Sequence, residues 1–377
     1  EKWSKQNFIK DLEYVKDGKN LKKTDGKKMN HIRGIPKLED ANWAGTKKSK
    51  ECTLILTEGD SAKAMAMAGI SNVGRDKFGI FPLRGKLMNV RDEKNMKKLL
   101  ENKEINAIKK IMGLQTGKDY KNIDDLRYGH VLLLTDQDED GSHIKGLLFN
   151  LFEKLWPSLF HMDGFLQGML TPVVKARKGK TTKNFYSVKD YIQWNETNGT
   201  GWVSKYYKGL GTSTPAEAKE YFKDPKIIQY TSTDEKDGAS IHLAFGKNQG
   251  DSDKRKQWLN GYSEENTLDY SKKSVTVNQF VNQDLIHFSN SDNIRSIPHL
   301  MDGLKPSQRK VLYCCFKRNL TKEIRVAQLA GYVSEHGAYH HGEASLQGTI
   351  INMAQNFVGS NNINLLEPIG QFGSRIE

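Results

Sequence analysis

Two short apolar runs, each closed by an acidic turn and followed by a helix former, constrain the fold of this chain most. Cys52-Thr53-Leu54-Ile55-Leu56-Thr57 is β-branched and apolar enough for a buried strand. Glu58-Gly59-Asp60-Ser61 ends it, and Ala62 to Ala68 favours a helix. The pattern returns in His130-Val131-Leu132-Leu133-Leu134-Thr135, then Asp136-Gln137-Asp138-Glu139-Asp140-Gly141, then a helix from about Ser142 to Leu155. Strand, acidic turn, helix is the grammar of an α/β domain, a parallel sheet with helices on both faces. In open α/β sheets chemistry gathers beyond the carboxyl ends of strands. Both acidic turns lie at such ends.

The 377-residue chain as a whole is polar, with a mean hydropathy of -0.67 and no run near the roughly 18 apolar residues of a membrane span. The formal net charge is +13 and is unevenly placed. Residues 1–50 carry +7 and residues 295–325 carry +6, so the rest balances. Two basic patches on a neutral body suit a polyanion such as nucleic acid, and a merely solvated lysine-rich arm is the alternative for residues 1–50. The cysteines, Cys52, Cys314 and Cys315, have neither zinc nor disulfide spacing and fit a reducing, intracellular compartment. The first residue is Glu1, so the chain is expected to start inside a longer reading frame or to be processed.

The organisation expected is a basic, flexible lead-in over 1–45, an α/β domain with inserts over 46–265, a polar linker over 266–275 and a mainly helical domain over 276–377. In the last of these, Pro306 can open a helix running to about Arg318, with Arg309/Lys310 and Lys317/Arg318 on one face.

The acidic turns carry the strongest chemical signal. Asp136, Asp138 and Asp140 alternate at one strand end, and Glu58 can join them from the other, a set of hard oxygen ligands suited to Mg²⁺. The same spacing opens a calcium EF-hand loop, but position twelve would be Leu147 instead of a bidentate Glu, and a strand precedes the loop. A purely structural acidic turn is the other alternative. Two Gly-rich basic segments, Pro82 to Arg91 and Tyr206 to Thr212, can face phosphates or be ordinary loops. His340 and His341 diverge on any regular backbone and do not suit a shared metal.

Taken together, the segments Glu58 to Ala62, Pro82 to Arg91, Asp136 to Gly146 and Tyr207 to Thr212 resemble the toprim core of type IIA DNA topoisomerases. The likeness continues through Asp292 to Pro298, Asp302 to Tyr313, Val326 to Ala330, Tyr339 to Glu343 and Ala354 to Asn362, which look like the winged-helix domain of the eukaryotic-type enzyme. The resemblance implies that Glu58, Asp136 and Asp138 hold catalytic Mg²⁺, with Asp140 at a second ion or its shell. It places Lys86, Asn89 and Lys247 on DNA. Arg309 and His341 would steady the scissile phosphate, and Lys305 joins them in the catalytic set. Lys305, Lys317 and Arg325 would line the duplex; Arg325 stands where relatives often carry Lys.

In that family the nucleophile is a Tyr directly after an Arg, a little beyond the segment matched by Gln371 to Arg375. The one Arg-Tyr pair here, Arg127-Tyr128, belongs to the toprim lead-in. The domain over 276–377 is thus expected to stop before the catalytic tyrosine, with the ATP site outside this chain. The function implied is the DNA-binding and cleavage core of an ATP-dependent type II topoisomerase, acting as a homodimer on double-stranded DNA, nuclear in a eukaryotic cell. A non-cleaving DNA-binding relative and another Mg²⁺-dependent toprim enzyme, such as a primase or nuclease, are the alternatives.

Overall fold

The computed structural model describes residues 20–93, 95–339 and 341–376. The first nineteen residues of the expected lead-in, and His340, lie outside the described residues. The chain divides into two compact units, Glu1–Phe288 and Ser289–Glu377.

The first unit is built on a six-stranded sheet of β1 (Thr53–Glu58), β2 (Phe78–Leu83), β3 (His130–Leu134), β4 (Leu166–Leu170), β8 (Lys226–Thr231) and β9 (Ser274–Thr276). Their order across the sheet is β2-β1-β3-β4-β8-β9. The first four are mutually parallel; β8 runs antiparallel to β4, and β9 pairs parallel to β8. Central strands of such a sheet are covered on both faces, so successive residues are apolar instead of alternating. Leu54 and Leu56 of β1, with Val131 and Leu133 of β3, enter a large core that includes the Glu139–Leu155 helix. Ile55, Leu132 and Leu134 point the other way, into a smaller core with Ala62, Met65, Ala66 and Ile70 of the Gly59–Val73 helix and Phe222 of the Pro215–Lys223 helix. Helices on both faces are as expected; the two reversed strands at one edge make the sheet mixed.

Three further strands, β5 (Val174–Lys178), β6 (Thr181–Phe185) and β7 (Val203–Tyr206), form a second, antiparallel sheet in the order β6-β5-β7. Val174, Ala176 and Phe185 make its small core, against which Tyr191, Trp194 and Trp202 pack.

Two expectations about organisation are corrected. The segment 266–275 is not a linker. Its Leu268 and Val275 are buried in the large core, β9 completes the sheet, and the division falls later, at Phe288/Ser289, within the Ile286–Ser296 helix. From Asn20 onward the lead-in also packs against the domain. Leu21, Ala41 and Ala44 are buried, and Glu39 makes a β-bridge to Ile80. Arg127, wholly buried, donates from Nε to the Met29 carbonyl (2.6 Å) and pairs with Asp40 (2.5 Å). Tyr128 is buried too and donates its hydroxyl to the same Asp40. The Arg-Tyr pair therefore anchors residues 29–40 onto the domain.

The second unit is helical. Pro306–Lys317, Val326–His336 and Glu343–Ala354 pack through Val311, Cys314, Leu329, Ala330, Val333, Leu346 and Ile350. Among its described residues no strand of a wing is formed.

Candidate metal and nucleic-acid site

β1 and β3 are parallel neighbours, and the register Thr57↔Leu134 brings the residues just beyond each strand side by side. Glu58 closes β1, and Asp136 follows β3. The Asp136 backbone N–H donates to Glu58 Oε2 at 3.3 Å. Two features of the backbone make this crowding possible. Gly59 takes φ +77°, a left-handed value that turns the chain sharply from strand into helix. Gly141 lies so close that a Cβ there would meet the Asp136 carbonyl at 2.1 Å.

The second acidic turn becomes a helix earlier than expected. Asp138 is the N-cap of the Glu139–Leu155 helix, its Oδ1 accepting the Gly141 N–H at 2.8 Å, so Glu139 and Asp140 occupy the first helical turn. Carboxylates are favoured there because the unpaired N–H groups of a helix start are positive. Asp140 in turn accepts from Lys86 Nζ at 2.7 Å. Lys86 also lies 4.8 Å above the Phe288 ring.

Burial and mutual repulsion shape the titration of this group. Burial, then the charges of Asp136 and Asp138, push the Glu58 carboxyl up to about 7. Burial also raises Asp136, opposed by the Leu210 N–H. That N–H donates to Asp136 Oδ1 at 2.8 Å. A Cβ on Gly209 would stand 2.6 Å from Asp136 Oδ2. The Gly-rich segment 206–212, one of the two candidates for a phosphate contact, thus braces an acid. Sequence reasoning offered Gly209 and Leu210 only as part of a phosphate contact and missed their place beside Asp136, since only the fold shows which strand end that loop reaches.

Lys86 and Asn89 sit on the loop after β2. Both ends of the Asn89 amide meet protein groups: Nδ2 donates to the Phe245 carbonyl (2.9 Å), and Oδ1 accepts from the Arg91 N–H and from Asn150 Nδ2 (each 2.9 Å). Asn89 therefore fixes its loop. Arg91, buried, is held by Asn150 and Glu153. Lys247 is exposed, its backbone N–H donating to Asp92 Oδ2 at 2.9 Å.

In the second unit, Lys305 is the N-cap of the Pro306–Lys317 helix, and its backbone N–H donates to Gln308 Oε1 at 2.8 Å. Arg309, in the first turn, forks onto Asp302 with contacts of 2.8–3.0 Å. Asp302 is held below the usual carboxylate range, first by the Leu304 N–H and then by Arg309. Lys317 ends the same helix, Arg325 is the exposed N-cap of the Val326–His336 helix, and His341 is exposed with its ring against Tyr339. The structure thus gathers Glu58, Asp136, Asp138, Asp140 and Lys86 beyond the carboxyl ends of the strands, whereas the second unit presents separate cations.

Comparison with known proteins agrees with this division. Residues 53–163 match the Toprim domain, residues 169–293 the C-terminal associated domain of TOPRIM, and residues 295–377 the DNA gyrase/topoisomerase IV family. The chain is 57% identical over 364 residues, 95% of its length, to DNA topoisomerase 2 of Plasmodium falciparum. Over nearly all of its length the chain is similar to DNA topoisomerase 2. Human DNA topoisomerase 2-alpha is 54% identical over 374 residues, 94% of this chain. These alignments span 26% and 24% of the two relatives, so the chain covers about a quarter of a topoisomerase 2. The crystal structure of the Plasmodium falciparum topoisomerase II DNA-binding, cleavage and re-ligation domain superposes with a TM-score of 0.77 at 57% identity, over 93% of this chain and 48% of that one.

Proposed function

We propose that this chain is the duplex-gripping, metal-holding part of an enzyme that opens both strands of one DNA duplex, passes another through and reseals the first. The reading rests on the carboxylates at the ends of β1 and β3. Four of them share one edge, and a Glu58 carboxyl raised to about 7 marks a place where negative charge is disfavoured until a cation arrives. An all-oxygen donor set with a phosphate-bearing partner suits Mg²⁺, and Glu58, Asp136 and Asp138 would hold it, with Asp140 at a second ion or its shell. Bound there, Mg²⁺ supplies positive charge for the oxygens of an in-line displacement at phosphorus.

The chain's own groups have distinct parts in that step. Lys86, already tied to Asp140, can exchange that partner for a backbone phosphate without leaving the acidic edge. Arg309 keeps Nη1 outside its fork with Asp302 and can direct it to the scissile phosphate, with His341 and Lys305 as further donors. Lys247, Lys317 and Arg325 neutralise flanking phosphates. The nucleophile is a tyrosyl hydroxyl of the parent enzyme. Its oxygen bonds to phosphorus, the deoxyribose 3′-oxygen leaves with a proton, and the reverse step reseals the strand. ATP-driven passage, a homodimer and a nuclear location follow from the same reading.

The deciding experiment places Asp136→Asn and Asp138→Asn separately in the complete enzyme and follows plasmid cleavage across a Mg²⁺ titration. Each variant should lose cleavage by about two orders of magnitude or more while still binding duplex. Unaltered cleavage by both would remove the metal assignment. Cleavage absent from the wild type as well would favour a DNA-gripping relative that does not cut.

A further inference from the structure

A second group of ligand-type side chains lies away from the strand-end carboxylates. Asp92, on the loop after β2, meets His242 from the last turn of the Glu235–Phe245 helix and Asp251 from the start of the Asp251–Asn260 helix. One ligand atom from each lies within 4.8 Å of the other two. His242 Nε2 stands 3.4 Å from Asp251 Oδ2. That is the edge of a tetrahedron whose corners lie about 2.1 Å from a central zinc ion.

The three side chains frame the turn between the two helices. Asp92 Oδ2 accepts the Lys247 N–H and Asp251 Oδ2 accepts the Asn248 N–H, each at 2.9 Å. Gly246 leaves room, since a Cβ there would stand 2.4 Å from Asp251 Oδ2. These bonds use one oxygen of each carboxylate. At the second oxygen of Asp251, the nearby cation is the exposed Lys254, 3.8 Å away. Asp251 is buried and Asp92 half-buried, and the two carboxylates converge on one imidazole; the Asn248 side chain and the charge of Lys154 also act on Asp92.

We propose that Asp92, His242 and Asp251 form a site for one divalent transition-metal ion of the zinc class. The donor chemistry separates it from the toprim edge. Four carboxylates suit Mg²⁺, whereas one imidazole with two carboxylates suits zinc, cobalt or nickel and leaves a fourth position for water. The ion ties two helix ends to the loop after β2 and so fixes the turn that displays Lys247. Binding of the ion does not depend on the DNA reading given above.

The test titrates the 377-residue chain with Zn²⁺ against a chromophoric chelator, in millimolar Mg²⁺ to fill the all-oxygen edge, and repeats it with His242→Ala and Asp92→Asn. The second variant keeps an oxygen for the Lys247 N–H, and circular dichroism verifies that both fold. Wild type should bind one Zn²⁺ per chain that each variant binds about tenfold or more weakly. Co²⁺ in place of Zn²⁺ should give the intense visible bands of tetrahedral coordination in wild type alone. The proposal is overturned by equal Zn²⁺ affinity and stoichiometry in all three proteins, by no Zn²⁺ bound to wild type, or by only the weak bands of octahedral Co²⁺.

Discussion

Glu58 shows how one side chain can carry both a structural cost and a function. Folded and without metal, it keeps its proton up to about pH 7, while the unfolded chain releases it near the ordinary 4.5. The fold binds the extra proton between those values, so the stabilisation is full below the unfolded value and is lost as pH rises through about 7. Asp136 is raised too and acts in the same direction. In a chelator, wild type should therefore lose stability on the order of 1 kcal/mol between about pH 5 and about pH 8. Glu58→Gln should flatten that profile, and Mg²⁺ at the higher pH should restore wild type but not the variant. Thermal unfolding across pH, with and without Mg²⁺, checks this; a flat wild-type profile would sink it. Gly209 gives the companion prediction. Gly209→Ala sets a methyl 2.6 Å from Asp136 Oδ2, which must move away from the Leu210 N–H. The expected loss is about 1–3 kcal/mol, with weaker stabilisation by Mg²⁺. Stability and Mg²⁺ response both unchanged would mean the loop is no brace.

At the level of elements, the Pro306–Lys317 helix carries Arg309 near its start and Lys317 at its end, both exposed. Changing both to Ala should weaken duplex binding on unrelated sequences and make log affinity against log salt shallower by about two phosphate contacts. Fluorescence anisotropy over a salt series measures it, and an unchanged slope would leave this face as solvated surface. The same scale shows what the amino-acid order made legible. β1 and β3 were readable because both of their faces are buried, which leaves an unbroken apolar run ending in acid. β9 was not readable. It is three residues long with only Val275 buried, and it follows Ser271, Lys272 and Lys273, so no periodicity marks it. The packing of residues 20–45 was hidden for another reason. Much of it runs through backbone carbonyls, as at Met29 with Arg127, and a carbonyl leaves no trace in composition. At the site, the four carboxylates were legible from spacing, whereas the Gly209 brace and the Asp302 fork came only with tertiary structure.

For the whole molecule, the place where the first unit ends decides which pieces of it are stable. A chain cut at residue 265 loses Leu268, Val275, Val277 and Phe280 from the core and exposes an edge of β8. One cut at Phe288 keeps them. Removing a single such side chain costs about 2–5 kcal/mol, so residues 20–265 should fail to give a cooperative unfolding transition and residues 20–288 should give one. Parallel expression and melting of the two would check this, and equal behaviour would return 266–275 to the status of a tether.

The strand order of that sheet also sets a timetable. During synthesis β1 leaves the ribosome with β2 as its first partner and waits for β3 on its other side. β8 pairs with β4 and then presents a bare edge until β9 is made, after two further helices. An unpaired edge is a template for any extended chain nearby. The three residues of β9 thus act as a late seal on the nascent domain, and a pause in translation just before Ser274 would be the moment of greatest exposure to misassembly between neighbouring nascent chains.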